Sequence, residues 1–385
     1  MKVSFDAQFL LEAQKTGIGR MTEALIEEFQ KDSEINATLH FFNFLNSKVK
    51  KDKIDKYIAE GYQVKVCCWF HRGIYLRIWK YIPIPYNWFF NEQCNISQFF
   101  CSDIPPKANG KKIVFVHDMA YKSCPDTMDK KVLKIIDRNM EKTCQRADCI
   151  VTVSEFSKQE IIKYIGIDKN KIHVMPSGVD LDRYTPNYSE KDVLTVNKKY
   201  GINEEYILYL GTLEPRKNIG KLIDAYYLLI KNNDRIPMLV IAGRKGWLYD
   251  EIYEKIKLYK LEDKVKFTGY ITKEEAPIML KGAMMFVFPS TYEGFGLPPL
   301  EAMACGTPVI ISDAASLPEV VSDAGIKVSP HDSEELAKAM KQLIDDPELR
   351  DYYSKKGLRR AANFSWQNSK NILKNIYRDM VNNGD

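Results

Sequence analysis

Short apolar runs recur along this chain, each closed by a glycine or a polar turn and followed by a charged stretch of helical length. In the second half they are YILYLG (206–211), MLVIAG (238–243), VKFTGY (265–270), MMFVFPS (284–290) and PVIISD (308–313). Runs so short and so uniformly apolar fit strands buried on both faces, as in a parallel sheet. Parallel neighbours need crossover connections, and the charged stretches between the runs supply them as helices. The first half repeats the pattern with KVSFDA (2–7), ATLHFFNF (37–44), IVFVHD (113–118), CIVTVS (149–154) and KIHVMPSGVD (171–180). At 385 residues the chain exceeds what one core usually serves. The expected fold is therefore α/β, two doubly wound domains facing each other across a cleft. The first covers 1–180 and the second 181–365. The polar segment 178–204 holds the hinge, and the C-terminal helix, 366–385, is placed to cross back. Asp332–Ile344 and then about 348–382 read as helical.

Charge and cysteine usage narrow the function. A net charge of +5 is mildly basic, suited to an anionic ligand or membrane surface but too weak for a nucleic-acid face. Eight cysteines occur without a CxxC or paired Cys/His spacing, so no structural zinc is expected. The start, MKVSFDAQFL, does not read as a signal peptide, and no apolar run is long enough to span a bilayer. A cytoplasmic protein is expected, with free thiols.

One stretch concentrates the chemistry: PSTYEGFGLPPLEAMACG, 289–306. It follows an apolar strand, places Gly294 and Gly296 around Phe295, and starts a helix at Pro298 and Pro299, where proline is tolerated. Such a junction presents backbone N–H groups and the positive end of a helix dipole to a phosphate. Glu293 and Glu301 bracket it, placed for sugar or ribose hydroxyls, although either acid also complements the dipole. In the loop after the first strand of the second half, Arg216 and Lys217 can grip a diphosphate. Gly17 and Gly19, in TGIGR, allow another close backbone approach or simply form a turn. His117 ends an apolar strand at the carboxyl edge of a sheet, where ligands bind, though a structural role is equally open.

Residues 61–91 contain no Asp or Glu and three of the five tryptophans, Trp69, Trp79 and Trp88, with Arg72, Arg77 and Lys80 among them. That mixture suits a membrane interface. Packing as core is the competing reading, and a mixture of the two is expected.

Taken together, YEGFGLPPLEAMACGTPVI, GTLEPRKN, AGRKGW, MPSGVDLDRY, TVSEFSKQEI and SLPEVVSDAG resemble the signature blocks of the retaining glycosyltransferases of family 4, with the GT-B fold. The resemblance covers nearly the whole chain and is weakest over 45–110. Ser177, where many relatives carry Asn, is a minor departure. The resemblance implies an N-terminal acceptor-binding domain and a C-terminal nucleotide-sugar-binding domain. It places Arg216 and Lys217 on the donor diphosphate, and Gly294, Phe295, Gly296 and Leu297 in the loop facing phosphates and sugar. Glu301 takes the ribose, and Glu293 lies near the sugar hydroxyls. Gly17 and Gly19 belong to the loop that closes over the diphosphate, and His117 lies by the sugar C6 hydroxyl. No metal or other cofactor is implied. Asp180 and Asp182 form a DxD only by coincidence.

The variants of GTLEPRKN and AGRKGW look most like bacterial mannosyltransferases of surface polysaccharide assembly, with GDP-mannose as lead donor. Glucosyl-, galactosyl-, rhamnosyl- or N-acetylhexosaminyl transfer on the same fold, or a sugar-nucleotide epimerase or phosphorylase, remain alternatives. The aromatic-basic stretch favours a glycan or lipid-linked glycan acceptor and peripheral contact with the inner face of the cell membrane.

Overall fold

The computed structural model describes residues 1–12, 17–79, 81–101, 104–231, 235–246 and 250–382. They form two compact units, Met1–Tyr121 with Lys130–Gly178 and Trp366–Asp385, and Val179–Ser365 with Lys122–Asp129. Each is built on one parallel sheet.

In the first unit the strands are β1 (Lys2–Asp6), β2 (Asn36–Phe42), β3 (Gln63–Cys67), β4 (Ile96–Phe99), β5 (Lys111–Phe115), β6 (Cys149–Thr152) and β7 (Ile172–Val174). Their order is β3-β2-β1-β4-β5-β6-β7, all parallel, with Val3 of β1 registered on both Ala37 and Ile96. Fully buried aromatics fill the layer beneath the helices: Phe5 stacks on Phe100, and Phe100 on Phe115 at 5.6 Å between centroids. The last helix of the chain, Trp366–Asn382, packs on this unit. Lys370 and Lys374 pair with the buried Asp32, Tyr377 stacks on Phe29, and the Tyr377 hydroxyl donates to Gln98 Oε1 at 2.9 Å. Burial raises the Asp32 carboxyl but the two lysine hydrogen bonds win, bringing it down to about 2.

The second unit contains β8 (Tyr206–Leu210), β9 (Met238–Ala242), β10 (Val265–Gly269), β11 (Met285–Phe288), β12 (Val309–Ser312) and β13 (Ile326–Val328). The order β10-β9-β8-β11-β12-β13 is that of a Rossmann fold. It reverses between β8 and β11, which lie side by side with Phe286 opposite Leu208.

Three strands escaped the sequence pattern: β3, β4 and β13. The polar segment 178–204 contains a helix, Glu190–Tyr200, started by a full capping box at Ser189 and ended by Gly201 in the left-handed region. The stretch 348–382 is two helices, Pro347–Ala361 and Trp366–Asn382. Among the described residues no helix is long and apolar enough to cross a membrane.

Candidate active site

The chain leaves β8 at its carboxyl end and β11 at the same edge, on either side of the reversal in strand order. Open α/β sheets take ligands at this position, because the two loops diverge there and leave a crevice. The loop after β8 tightens into a single 3-10 turn, Pro215–Lys217, and turns out of it at Asn218, whose φ is 57°. The Asn218 amide then donates to Pro289 O at 3.1 Å and Pro330 O at 2.7 Å. Thr291 N donates to Arg216 O at 2.8 Å, and Arg216 Nη1 to Tyr292 O at 3.0 Å. Far apart in sequence, the two loops are one structure.

The charges at this junction are paired internally. Lys217 Nζ lies 2.5 Å from Glu293 Oε1, and Arg216 Nη1 lies 3.1 Å from Glu293 Oε2. Ser290 Oγ donates a third bond to Glu293 Oε1 at 2.7 Å. Glu214 Oε1 forms an ion pair with Arg216 Nε at 2.7 Å. Lys217, Glu293 and Glu214 are all buried, whereas the Arg216 side chain keeps 23% of its exposure. Burial would raise the Glu293 carboxyl, but Lys217 and Arg216 outweigh it and hold it down at about 2. The balance reverses at Glu214: burial pushes its carboxyl up against the pull of Arg216 and Lys217. Chemically this is a preorganised cationic pair whose more exposed member, Arg216, can exchange a carboxylate partner for a phosphate oxygen.

Phe295 and Gly296 lead from Glu293 into the Leu297–Ala304 helix. Gly296 has φ 120°, a conformation that strains any side chain, and a Cβ there would also push on Leu317 Cδ2, 2.7 Å away. Ser316 Oγ pins the loop through Glu293 O at 2.9 Å and Phe295 O at 2.7 Å. Pro298 and Pro299 bring no N–H to the first turn, so the helix presents its dipole to a ligand but few donors of its own. The backbone N–H groups of Gly296 and Leu297 are the ones on offer. Glu301 sits half-buried in the second turn. Gly243, at the end of β9, has φ 141°, and a Cβ would collide with Gly211 O at 1.9 Å; the loops after β8 and β9 touch backbone to backbone.

Of the expected residues, the structure brings together Arg216, Lys217 and Glu293, with Gly294, Phe295, Gly296, Leu297 and Glu301 following directly. His117, Gly17 and Gly19 belong to the first unit. His117 stacks on Phe115 and its Nε2 lies 2.9 Å from Phe100 O. A carbonyl only accepts, so Nε2 carries the proton and Nδ1 is the acceptor. Burial lowers the imidazole's pKa and keeps the ring neutral. Gly17 opens the Gly17–Gln30 helix, with nothing near a Cβ position, and Gly19 is buried in its first turn.

The aromatic-basic set divides. Trp69 and Trp88 are 60% and 68% exposed, and Arg77 is exposed. Trp79 does not face outward: it is 1% exposed, with the Arg146 guanidinium 4.4 Å above its ring. Arg72 is also engaged inside, donating to Asp6 Oδ2 at 3.1 Å. Lys80 lies outside the described residues. Other exposed apolar side chains lie in or before this stretch: Leu45 at 77%, Val49 at 71%, Tyr81 at 84%.

Sequence reasoning also missed Glu214, Ser290, Asn218 and Ser316 as parts of the site. Only Glu214 carried a signal, an acid two places before Arg216 in the same loop.

Two Rossmann-like domains, one carrying a cation pair at its switch point before a glycine-led helix, define a GT-B glycosyltransferase. The chain belongs to glycosyltransferase family 4: residues 51–183 match Glycosyltransferase Family 4 and residues 194–360 match Glycosyl transferases group 1. It is 36% identical over 270 residues to the O-antigen chain mannosyltransferase B of Escherichia coli, covering 70% of each chain. To the serotype-specific mannosyltransferase WbdA of the same organism it is 34% identical over 230 residues, 59% of this chain but only 28% of that protein. Among solved structures, HepE from Anabaena in complex with UDP and glucose superposes with a TM-score of 0.73 at 18% identity, over 98% of this chain and all of that one. At that identity the likeness shows the fold alone.

Proposed function

We propose that this glycosyltransferase moves a hexose, mannose first, from a nucleotide-diphosphate sugar to a glycan or lipid-linked glycan acceptor, with retention and without a metal. The observation that carries the reading is the Arg216–Lys217 pair, held at the β8/β11 switch point against the loop of Glu293 to Leu297. That the relatives are mannosyltransferases supports mannose, and with it GDP-mannose as donor.

The chemistry follows from charge. Cleaving the bond from the sugar's anomeric carbon to the diphosphate oxygen leaves positive charge on the sugar and negative charge on the leaving group. Arg216, Lys217 and the dipole of the Leu297–Ala304 helix stand where that negative charge develops, the role a metal plays elsewhere. The acceptor oxygen attacks the same face. The new C–O bond forms as the old one breaks, and the acceptor proton passes to the departing phosphate oxygen. Glu301 receives the ribose hydroxyls, Gly17 and Gly19 approach the diphosphate, and the neutral His117 lies by the C6 hydroxyl. Exposed Trp69 and Trp88, with Arg77, support peripheral contact with the anionic inner face of the cell membrane.

A donor panel of GDP-mannose, UDP-glucose, UDP-galactose, dTDP-rhamnose and UDP-N-acetylglucosamine, with a lipid-linked glycan acceptor, tests this directly. The expected result is acceptor-dependent release of GDP, insensitive to EDTA, with an α-mannoside in the product by NMR. Release from another donor alone moves the sugar assignment. Epimerised donor, phosphate-dependent sugar release, or no turnover of any donor removes the reading.

A further inference from the structure

The first unit holds a pocket that the donor chemistry does not use. It encloses about 210 Å³ and is lined by Gln8, Phe9, Leu11, Glu12, Lys50 and Arg72. Three segments build it, each following one of three adjacent strands: Gln8–Glu12 after β1, Lys50 after β2, and Arg72 after β3. The pocket therefore sits at the carboxyl edge of a parallel sheet, the edge that takes ligands.

Its walls are fixed. The Gln8 amide exchanges two bonds with the Phe42 backbone, accepting at 2.9 Å and donating at 3.3 Å. Lys53 Nζ ties the loop down through Leu11 O at 3.2 Å and Glu12 O at 2.6 Å. Asp6 Oδ2 orients the Arg72 guanidinium at 3.1 Å. Lys50 is half-buried against the pocket, whereas its neighbours Lys48 and Lys51 are exposed. Among the lining residues two cations, Lys50 and Arg72, stand against one carboxylate, Glu12, a balance of +1. Phe9 and Leu11 supply an apolar side. A guanidinium and an ammonium lining one pocket with apolar carbon match a phosphate group at the end of a hydrocarbon chain.

We propose that this pocket binds the phosphate or diphosphate group of the acceptor, with the first carbons of its carrier lying along Phe9 and Leu11. The inference rests on the lipid-linked acceptor reading above and adds which chemical group of that acceptor the enzyme holds, and where. Lys50 supplies the ammonium, Arg72 the guanidinium, and Asp6 keeps Arg72 in place.

Calorimetric titration of the full chain, saturated with GDP, tests the proposal with two probes: geranyl diphosphate and inorganic pyrophosphate. Lys50→Glu is expected to weaken the tighter probe by about tenfold or more, the value of one charge-assisted hydrogen bond. Lys51→Glu makes the same charge change outside the pocket and is expected to shift affinity by less than about twofold, as a screened surface charge does. Tighter binding of geranyl diphosphate identifies a lipid source for the group; equal binding identifies a free anion. Equal weakening by the two substitutions, or no binding of either probe, overturns the pocket. GDP affinity, measured in the same variants, is expected to stay at the wild-type value. Its absence in the wild type would count against the donor reading alone, because the Lys50/Lys51 contrast would still decide the pocket.

Discussion

Two regions of the molecule, the switch point of the second unit and the aromatic stretch of the first, carry their cations in opposite ways. At the switch point, Arg216 and Lys217 meet buried carboxylates within 3.1 Å. In the aromatic region of the first unit, Arg77 is exposed, as are Trp69 and Trp88. A buried cation with an internal counter-ion has a fixed position and an already desolvated setting, which is what a reaction that releases an anion needs. An exposed cation among aromatics has neither, but it can follow a charged surface whose groups move. Burial thus separates the two sets, and under the proposed function the buried set positions the donor while the exposed set adheres to a surface.

Breaking the internal pair should produce the largest effect. Glu293→Gln leaves the Lys217 charge buried without its carboxylate and is expected to cost about 3–5 kcal/mol of stability. Glu214→Gln should instead leave stability unchanged or raise it by about 1 kcal/mol, since Glu214 is charged against the pull of its burial. The pH dependences have opposite signs. The Glu293 carboxyl is lowered from 4.5 to about 2, so its stabilisation is complete above pH 4.5 and lost as pH falls through that window. The Glu214 carboxyl is raised, so its penalty appears as pH rises through 4.5 and beyond. Chemical denaturation from pH 3 to 8 would show the benefit of Glu214→Gln only in the upper part of that range. An equal loss in both variants would erase the distinction between these acids.

A similar effect is expected inside the first unit. Trp79→Ala removes a buried indole from under Arg146 and should cost about 3–5 kcal/mol, whereas Trp69→Ala should stay within about 0.5 kcal/mol. Thermal unfolding of the two variants separates core from surface within one stretch of sequence.

That stretch also shows where the sequence stopped being legible. The second unit could be read because its strands are uninterrupted apolar runs and its site residues fall in two contiguous loops. Arg216, Lys217 and the turn at Gly296 announce themselves by residue type. What joins those loops could not be read: Asn218 and Ser316 act through backbone carbonyls at Pro289, Pro330, Glu293 and Phe295, and any polar residue looks the same in sequence. In the first unit β3, QVKVC, alternates polar and apolar at the edge of the sheet, and β4, ISQF, carries two polar residues into the core. Ser97 is satisfied there by Asn109 O and Gln98 by Phe99 O and Tyr377, contacts that only the fold supplies. Trp79 and Trp69 have the same composition around them and opposite fates, because one follows the Arg72–Ile78 helix and is covered by Arg146 while the other precedes it in an exposed bend. The reading of 61–91 as a mixture of exposed and core side chains did not assign the residues: Trp79 is buried, Trp69 and Trp88 are exposed.

Arg216→Ala should come next. It removes the donor best placed to meet the leaving diphosphate, with an expected loss of about 100- to 1,000-fold in turnover, or about 2.7–4 kcal/mol. Arg216→Lys keeps the charge but not the two-pronged geometry and should recover only part of it. Nucleoside diphosphate release measures both. Turnover within a few-fold of wild type in Arg216→Ala would separate the paired charges from the chemistry and leave them a structural role.

The smallest effect belongs to the exposed cation. Each Lys or Arg near an anionic bilayer contributes about 1 kcal/mol, so Arg77→Gln should lower binding to phosphatidylglycerol vesicles by about fivefold. Replacing Trp69 and Trp88 together should act more strongly and remain visible at high salt, where the Arg77 effect disappears. Salt dependence is therefore what sharpens the contrast between the units: Arg77 lies within reach of counter-ions, whereas Lys217 does not. Raising ionic strength should release the enzyme from vesicles while leaving turnover of its donor in solution much less affected. If vesicle binding proved insensitive both to salt and to the two tryptophans, the exposed aromatic face would have to be reassigned from membrane to protein contact, and the difference between the two sets of cations would be one of burial without a difference in partner.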